Sequence, residues 1–262
     1  MKILFGCSIH RQGWHDQIRT SLAGTDWVPL FEPFTPEAMA AADLLFPLHM
    51  EEILALAEDP DVQGKSLLPS RATLLTANHK LRFNAFLERQ GFTPYLPKAL
   101  PRSQPVYPCV LKGDTGEWGV TTAVLRSVDD LTAHAEWLAR DDFYLQEYVS
   151  SSMDSSLHVM FDGERIRYAA TSRRRYDQHI FLMNSDYAPV EAELTYGAEF
   201  EDVFTRVLRR LDYRGVACFD YRIRDGRPLI FELNPRLGAS MAGAVHQLLP
   251  AMVAILGERN GC

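Results

Sequence analysis

Two apolar runs near the C-terminus, residues 215–223 and 228–233, flank Asp225-Gly226, a dipeptide that in such a setting closes an antiparallel hairpin. Each run carries an acid: Asp220 follows Val216, Ala217, Cys218 and Phe219, and Glu232 follows Leu229, Ile230 and Phe231. Pairing sets Asp220 and Glu232 on neighbouring strands, with Asn234 two residues further along the same face. Burying unpaired carboxylates is costly unless a cation offsets them, so this hairpin demands positive charge from elsewhere in the fold. Two carboxylates and an amide suit Mg²⁺, a hard cation that needs neither His nor Cys. The alternative is a pair of half-exposed acids on an ordinary sheet face. Arg236 follows on a turn stiffened by Pro235; there it either holds a carboxylate or a transferring phosphoryl group, or pairs with a surface acid.

The chain has 262 residues, room for one large domain or two small ones, and its 47% hydrophobic and 23% charged residues exclude a disordered or collagenous chain. A net charge of −7 gives no overall footprint for nucleic acid or an anionic membrane, so any anion site is local. Cys7, Cys109, Cys218 and Cys262 are too scattered for a disulfide framework or a zinc site. The opening residues lack the apolar run of a signal peptide, and no run approaches the length of a membrane span, so the default expectation is a cytoplasmic protein. Residues 1–75 alternate short apolar runs with helical patterns, as in a small parallel αβ layer. A helix is expected from Thr76, capped by Asn78 and stopped at Gln90-Gly91, followed by a Pro-rich connector over 94–108. Strands are expected at 109–112, 120–125, 143–149, 157–161 and 165–170. Helices are expected over 129–138, capped by Ser127, over 203–211, and from about Ala242.

Four further groups carry chemistry. Lys112 precedes the loop GDTGEWG, whose glycines Gly113, Gly116 and Gly119 let backbone N–H groups approach a phosphate; the order is not that of a Walker A loop. An ordinary glycine hairpin with a surface lysine is the competing reading, and Trp118 in the loop hints at a lid. Lys80 is a further cation on the helix after Asn78. The alternating segment LQEYV ends in a strand edge able to pair with a nucleobase, and Asp154 follows Glu147 by seven residues. The run SRRRYDQH is either a solvated face or a clamp for a substrate carboxylate, and in the second reading one of Arg173 and Arg175 points inward. His158, His179 and His246 are isolated, more in keeping with structural or substrate contacts than with metal ligation.

In order, Lys80, Lys112 with its glycine loop, LQEYV, Asp154, the arginine cluster, Asp220 and ELNPR resemble the ATP-grasp superfamily of carboxylate–amine and carboxylate–thiol ligases. FDYRIRDGRPLIFELNPRLG is the most specific stretch. The resemblance implies an α/β (α+β) ATP-grasp fold over 76–262, comprising a lid-bearing subdomain at 76–145 and a metal-bearing one at 146–262, behind a small Rossmann-like domain at 1–75. It implies ATP and Mg²⁺ or Mn²⁺ as cofactors. Lys80 and Lys112, with Gly113, Gly116 and Gly119, would hold the phosphates; Gln146, Glu147, Tyr148 and Val149 the adenine; Asp154 the ribose. Asp220, Glu232 and Asn234 match the metal ligands and Arg236 the family's arginine; for the further cation after the LQEYV strand the chain offers Arg165, Arg167, Arg173, Arg174 and Arg175, with Arg173 or Arg175 favoured as catalytic by the alternation of faces. The function implied is an ADP-forming ligase that activates a carboxylate of a small metabolite, amino acid or peptide as an acyl phosphate and couples it to an amine. A phosphotransferase, or a regulatory nucleotide-binding protein on the same fold, is the alternative. Small molecules, not nucleic acid or membranes, are the expected partners, and a homodimer is the default assembly.

Overall fold

The computed structural model describes residues 1–7, 12–62, 64–116, 120–178, 180–182 and 188–259, without the side chain of Gln12. Gly119, Trp118, His179 and Cys262 lie outside the described residues. At the N-terminus β1 (Lys2–Leu4), α1 (Gln12–Leu22), β2 (Val28–Leu30), α2 (Pro36–Ala41), β3 (Leu44–Leu45) and α3 (Met50–Leu56) alternate. Their strands pair in parallel in the order β2-β1-β3, as the alternation of patterns predicts. Local chemistry sets the helix starts: the Thr35 hydroxyl accepts from Ala38 N–H, and His49 and Glu52 form a reciprocal capping box at α3.

The single helix expected from Thr76 is instead two, α4 (Arg71–Asn78) and α5 (Lys80–Arg89). Ser70 caps α4 through Thr73 N–H, and His79 between the helices is extended, with φ −98° and ψ 111°. Asn78 is thus the end of one helix and not the cap of the next. Residues 75/76 and 145/146, the expected boundaries, fall inside α4 and inside a strand of the following sheet.

That sheet is antiparallel, β4 (Ala99–Leu100), β5 (Cys109–Gly113), β6 (Thr122–Leu125) and β7 (Phe143–Glu147) in the order β4-β7-β5-β6, with α6 (Val128–Ala133) and α7 (Ala135–Leu138) against it. Its odd-numbered face, Cys109, Leu111, Leu125, Phe143 and Leu145, forms its own apolar cluster with Leu131, Trp137 and Leu138. The last sheet comprises β8 (Met153–Phe161), β9 (Ile166–Arg175), β10 (Glu191–Tyr196), β11 (Gly215–Arg224) and β12 (Arg227–Asn234), with α8 (Glu201–Arg210) and α9 (Val245–Arg259). Its order is β10-β9-β8-β11-β12, antiparallel throughout. The polar stretch expected between strands is largely the start of β8: Asp154, Ser155 and Ser156 are buried there. β10 carries no apolar run and was not anticipated; its residues are half-exposed or exposed, so it lacks the signal that burial imprints.

Leu157, Val159, Phe219 and Tyr221 pack against Phe83 and Leu87 of α5 and Phe204 and Val207 of α8. The opposite face gives Met160 and Ala170 to a core shared with α1, α9 and β1, and leaves its other end polar. Among the described residues one helical run, Ala239–Arg259, is long and apolar enough to cross a membrane, contrary to the expectation that no run approaches that length; Val245, Leu248, Leu249, Met252, Ile255 and Leu256 are buried in that core. Gly215 opens β11 at φ +96°, where a Cβ would lie 2.1 Å from the Leu67 carbonyl oxygen. Gly215→Ala is therefore expected to destabilise the protein by about 2 kcal/mol or more, read from the denaturant midpoint. A loss below about 0.5 kcal/mol would show that this contact relaxes freely.

Candidate functional site

The polar end of the large sheet faces the even-numbered face of the four-stranded sheet across an open cleft. One wall carries Val110, Lys112, Thr122 and Gln146, and the other Asp154, Asp220, Arg222 and Glu232, with Lys80 and Gly116 at one end. Antiparallel register explains the second wall. Asp220 pairs with Ser156 on β8 and with Glu232 on β12, so all three share a face. A bulge beside Asp220, where Tyr221 pairs with Ile230, leaves Phe231 unpaired and lets Phe231 and Glu232 both line the cleft.

The acid pair is close to its expected partners. Ser156 donates to Asp220 Oδ1 at 2.6 Å, and the Asn234 amide nitrogen donates to Asp220 Oδ2 at 3.0 Å and to Glu232 Oε1 at 3.1 Å. Lys80 Nζ reaches Glu232 Oε2 at 3.1 Å and the Gly116 carbonyl at 3.2 Å. Lys112 is buried with its ammonium 5.5 Å from the Phe231 ring. Burial and the neighbouring Lys80 push that ammonium down to about 8, against the pull of Glu232 and Asp220. Burial also raises Glu232, but Lys80 and Lys112 outweigh it and hold the carboxyl well below the usual range. Asp220 goes the other way, pushed up to about 7 by burial and by Glu232 beside it. The two carboxylates share one cation supply, and Glu232 takes it.

The residues at the other end of the cleft converge as well, with one charge spoken for. Gln146 is buried, faces the cleft and makes no side-chain hydrogen bond among the described residues. Glu147 is held by Arg224 at 2.8 and 2.9 Å and accepts from Lys98 N–H at 2.8 Å. The Tyr148 hydroxyl accepts from Phe181 N–H at 3.0 Å and donates to its carbonyl at 3.2 Å. Asp154 lines the cleft, but both its oxygens bond Arg222, a residue the sequence reading did not single out. The Arg222 guanidinium also donates to the carbonyls of Val149 and Phe181 and lies 4.2 Å from the Phe181 ring. An arginine two residues from an acid in a strand gives no sign of such a role; only the register with β8 does.

Arg173 and Arg175 do not reach the cleft. Arg173 pairs with Glu193 and Glu199, and Arg175 with Glu191 and Asp177, all on the outer side of the sheet. The alternation of faces holds, with the opposite parity: Arg174 stands opposite Asp154 in register, and its charge acts on Asp154, His158 and Asp220. Arg236 is buried beyond Asn234, with Nη2 3.3 Å from Asn234 Oδ1 and its guanidinium 6.0 Å from the Trp14 ring. His158 lies in the same region, bonded to Ser240 Oγ at 2.8 Å and pushed down to about 3 by burial and by Arg174 and Arg236, so its ring is neutral. His246 bonds Ser21. Gly113 ends β5 and Gly116 adopts φ +128°, where a side chain would strike Thr121.

Among the described residues no three His, Cys, Asp or Glu side chains form a metal cluster, so a cation here depends on the Asp220, Glu232 and Asn234 oxygens. The raised Asp220 fixes a sign. Unfolded, its carboxyl ionises near pH 4; folded, it keeps its proton to about pH 7, so its contribution to stability falls as pH rises between those values and is gone above them. Asp220→Asn cannot ionise, so in EDTA its stability relative to wild type is expected to rise from pH 5 to pH 7 by up to about 1.4 kcal/mol per unit. Thermal melts of both proteins across that range measure it, and a pH-independent difference would refute the assignment.

A family model for the ATP-grasp domain matches residues 77–240. No curated protein sequence matches the chain. Among solved structures, a D-alanine–D-alanine ligase from Bacillus anthracis superposes with a TM-score of 0.62 at 13% identity, covering 98% of each chain. The same ligase complexed with ATP gives 0.61 at 15% identity over 99% of this chain and 97% of that one. Phosphoribosylamine–glycine ligase from Thermotoga maritima gives 0.69 at 16% identity over 100% of this chain and 76% of its own. At such identities the likeness speaks to fold, whereas the family match spans more than half of the sequence: the chain belongs to the ATP-grasp family.

Proposed function

We propose that the protein is an ATP-dependent, ADP-forming ligase that activates a carboxylate as an acyl phosphate and joins it to an amine. The observation that carries this reading is the meeting of Lys80 and Lys112 with Asp220, Glu232 and Asn234 at one end of a cleft whose other end is the Gln146–Val149 strand edge. In this reading Lys80, Lys112 and the Gly113–Gly116 backbone take the phosphates, and the 146–149 edge takes the adenine. Asp154 acts beside the ribose as the partner of Arg222.

The donor set fits Mg²⁺ or Mn²⁺: the two carboxylates offer oxygens, the Asn234 amide nitrogen between them marks where they call for positive charge, and the same amide turned over would offer a third oxygen. Bound there, such an ion supplies charge neutralisation for a phosphoryl group. The chain's own residues do the rest. A substrate carboxylate and a γ-phosphate repel, and Lys80, Lys112, Arg174 and Arg236 are the cations within this region that offset that repulsion. A carboxylate oxygen forms the new P–O bond as ADP leaves; the amine lone pair then forms the C–N bond, inorganic phosphate departs and the amine gives up a proton. The apolar walls of buried Val110 and Val149 and half-buried Phe231 limit water, which would otherwise hydrolyse the acyl phosphate.

The test is ADP and phosphate release with Mg·ATP against amino acids offered singly and in pairs. Release that requires a carboxylate together with an amine supports the ligase; release with a carboxylate alone, or none with any pair, contradicts it. Glu232→Ala and Arg174→Ala are expected to lose at least about 100-fold in turnover. Arg173→Ala and Arg175→Ala, whose partners are surface acids, should stay within about 2-fold of wild type.

A further inference from the structure

Helix α5 brings Lys80 to the cleft, yet its first turn has no cap of its own: His79 stands at the N-cap and makes no side-chain capping bond. The first N–H groups of a helix need acceptors, and here a distant residue provides them. Asp114 Oδ1 accepts from Leu81 N–H at 2.7 Å, and the Asp114 backbone carbonyl accepts from Lys80 N–H at 3.0 Å. Its second carboxylate oxygen, Oδ2, lies 2.8 Å from His79 Nδ1, and its own N–H donates to the Asp142 carbonyl at 2.7 Å, next to β7. Asp114 is also the first residue after β5, two positions from Lys112 and from Gly116, whose carbonyl accepts from Lys80 Nζ.

One residue therefore fastens the start of the glycine loop to the backbone of Lys80 itself. Lys80 and Lys112 sit on separate elements, and Asp114 fixes the distance between them. We infer that Asp114 is a positioning residue for Lys80: it sets the phosphate-side wall of the cleft by clasping the first turn of α5 to the end of β5. The inference rests on the reading that Lys80 takes a nucleotide phosphate. A side chain serving only helix stability would cap α5 whether or not Lys80 were present, and this difference is measurable.

Mg·ATP binding by calorimetry, in wild type, Asp114→Ala, Lys80→Ala and the double variant, separates the two. Asp114→Ala is expected to weaken binding about 10-fold in the wild-type background and less than about 2-fold once Lys80 is gone. Asp114→Asn keeps a carbonyl for Leu81 and an amide for His79, and should stay within about 3-fold of wild type. If Asp114→Ala does not fold, His79→Ala removes one arm of the clasp and should show the same dependence on Lys80 with a smaller loss. Equal losses in both backgrounds, or no loss at all, would overturn the positioning role while leaving nucleotide binding intact. A wild type that does not bind Mg·ATP would overturn the nucleotide reading first, and this role with it.

Discussion

Two carboxylates on adjacent strands cannot be buried together without a source of positive charge, and Asp220 and Glu232 occupy that position at the edge of an apolar sheet. The arrangement of the rest follows from how the charge is delivered. Lys80 comes from a helix packed on the far side of the same sheet, and Lys112 from a strand of a different sheet. Withdrawing either lysine would leave the acids facing each other without an offsetting charge, so the acid pair couples three pieces of the fold through electrostatics alongside the apolar clusters. The asymmetry between the two acids, one pushed up and the other held down, is the trace of that uneven supply.

Arg222 plays the corresponding part at the other end of the cleft. Its guanidinium joins the Val149 carbonyl just after β7, the Asp154 carboxylate and the Phe181 carbonyl, each from a different stretch of chain. Breaking a buried pair of this kind by removing one partner leaves an uncompensated charge, typically worth about 3–5 kcal/mol. Ordered charge of opposite sign thus stands at both ends, with the apolar Val110 and Phe231 between them.

Much of this was legible in the sequence because its signals are local. The Asp225-Gly226 turn marks the hairpin that puts Asp220 and Glu232 on neighbouring strands, although the turn alone would set Asp220 opposite Phe231 and the bulge beside Asp220 is what brings Glu232 opposite it; the alternation of apolar and polar residues in LQEYV marks Gln146 as cleft-facing. The misreadings share a physical cause, which is that parity and capping depend on distant partners. Alternation told that one arginine in the SRRRY run differs from its neighbours; which one depends on the register of β9 against β8, set by residues twenty positions away. Asn78 looked like a cap by composition, whereas α5 takes its capping acceptor from Asp114, thirty-three residues from Leu81. Ser156 and Arg222 became visible only when their strands were paired, and β10, exposed on its outer side, left no apolar imprint at all.

The four-stranded sheet keeps its own apolar cluster, Cys109, Leu111, Leu125, Phe143 and Leu145, separate from the two larger cores. What links it to them in the described residues includes polar bonds, Lys80 to Gly116, Arg224 to Glu147 and Leu81 to Asp114. A unit with a private core and charged fastenings is a natural foldon: it can open as a whole at a lower free energy than global unfolding. Amide protons of β5 and β7 should then exchange together, by a route that leaves β8 and β11 protected, and added salt should speed their exchange by weakening the more exposed of those fastenings.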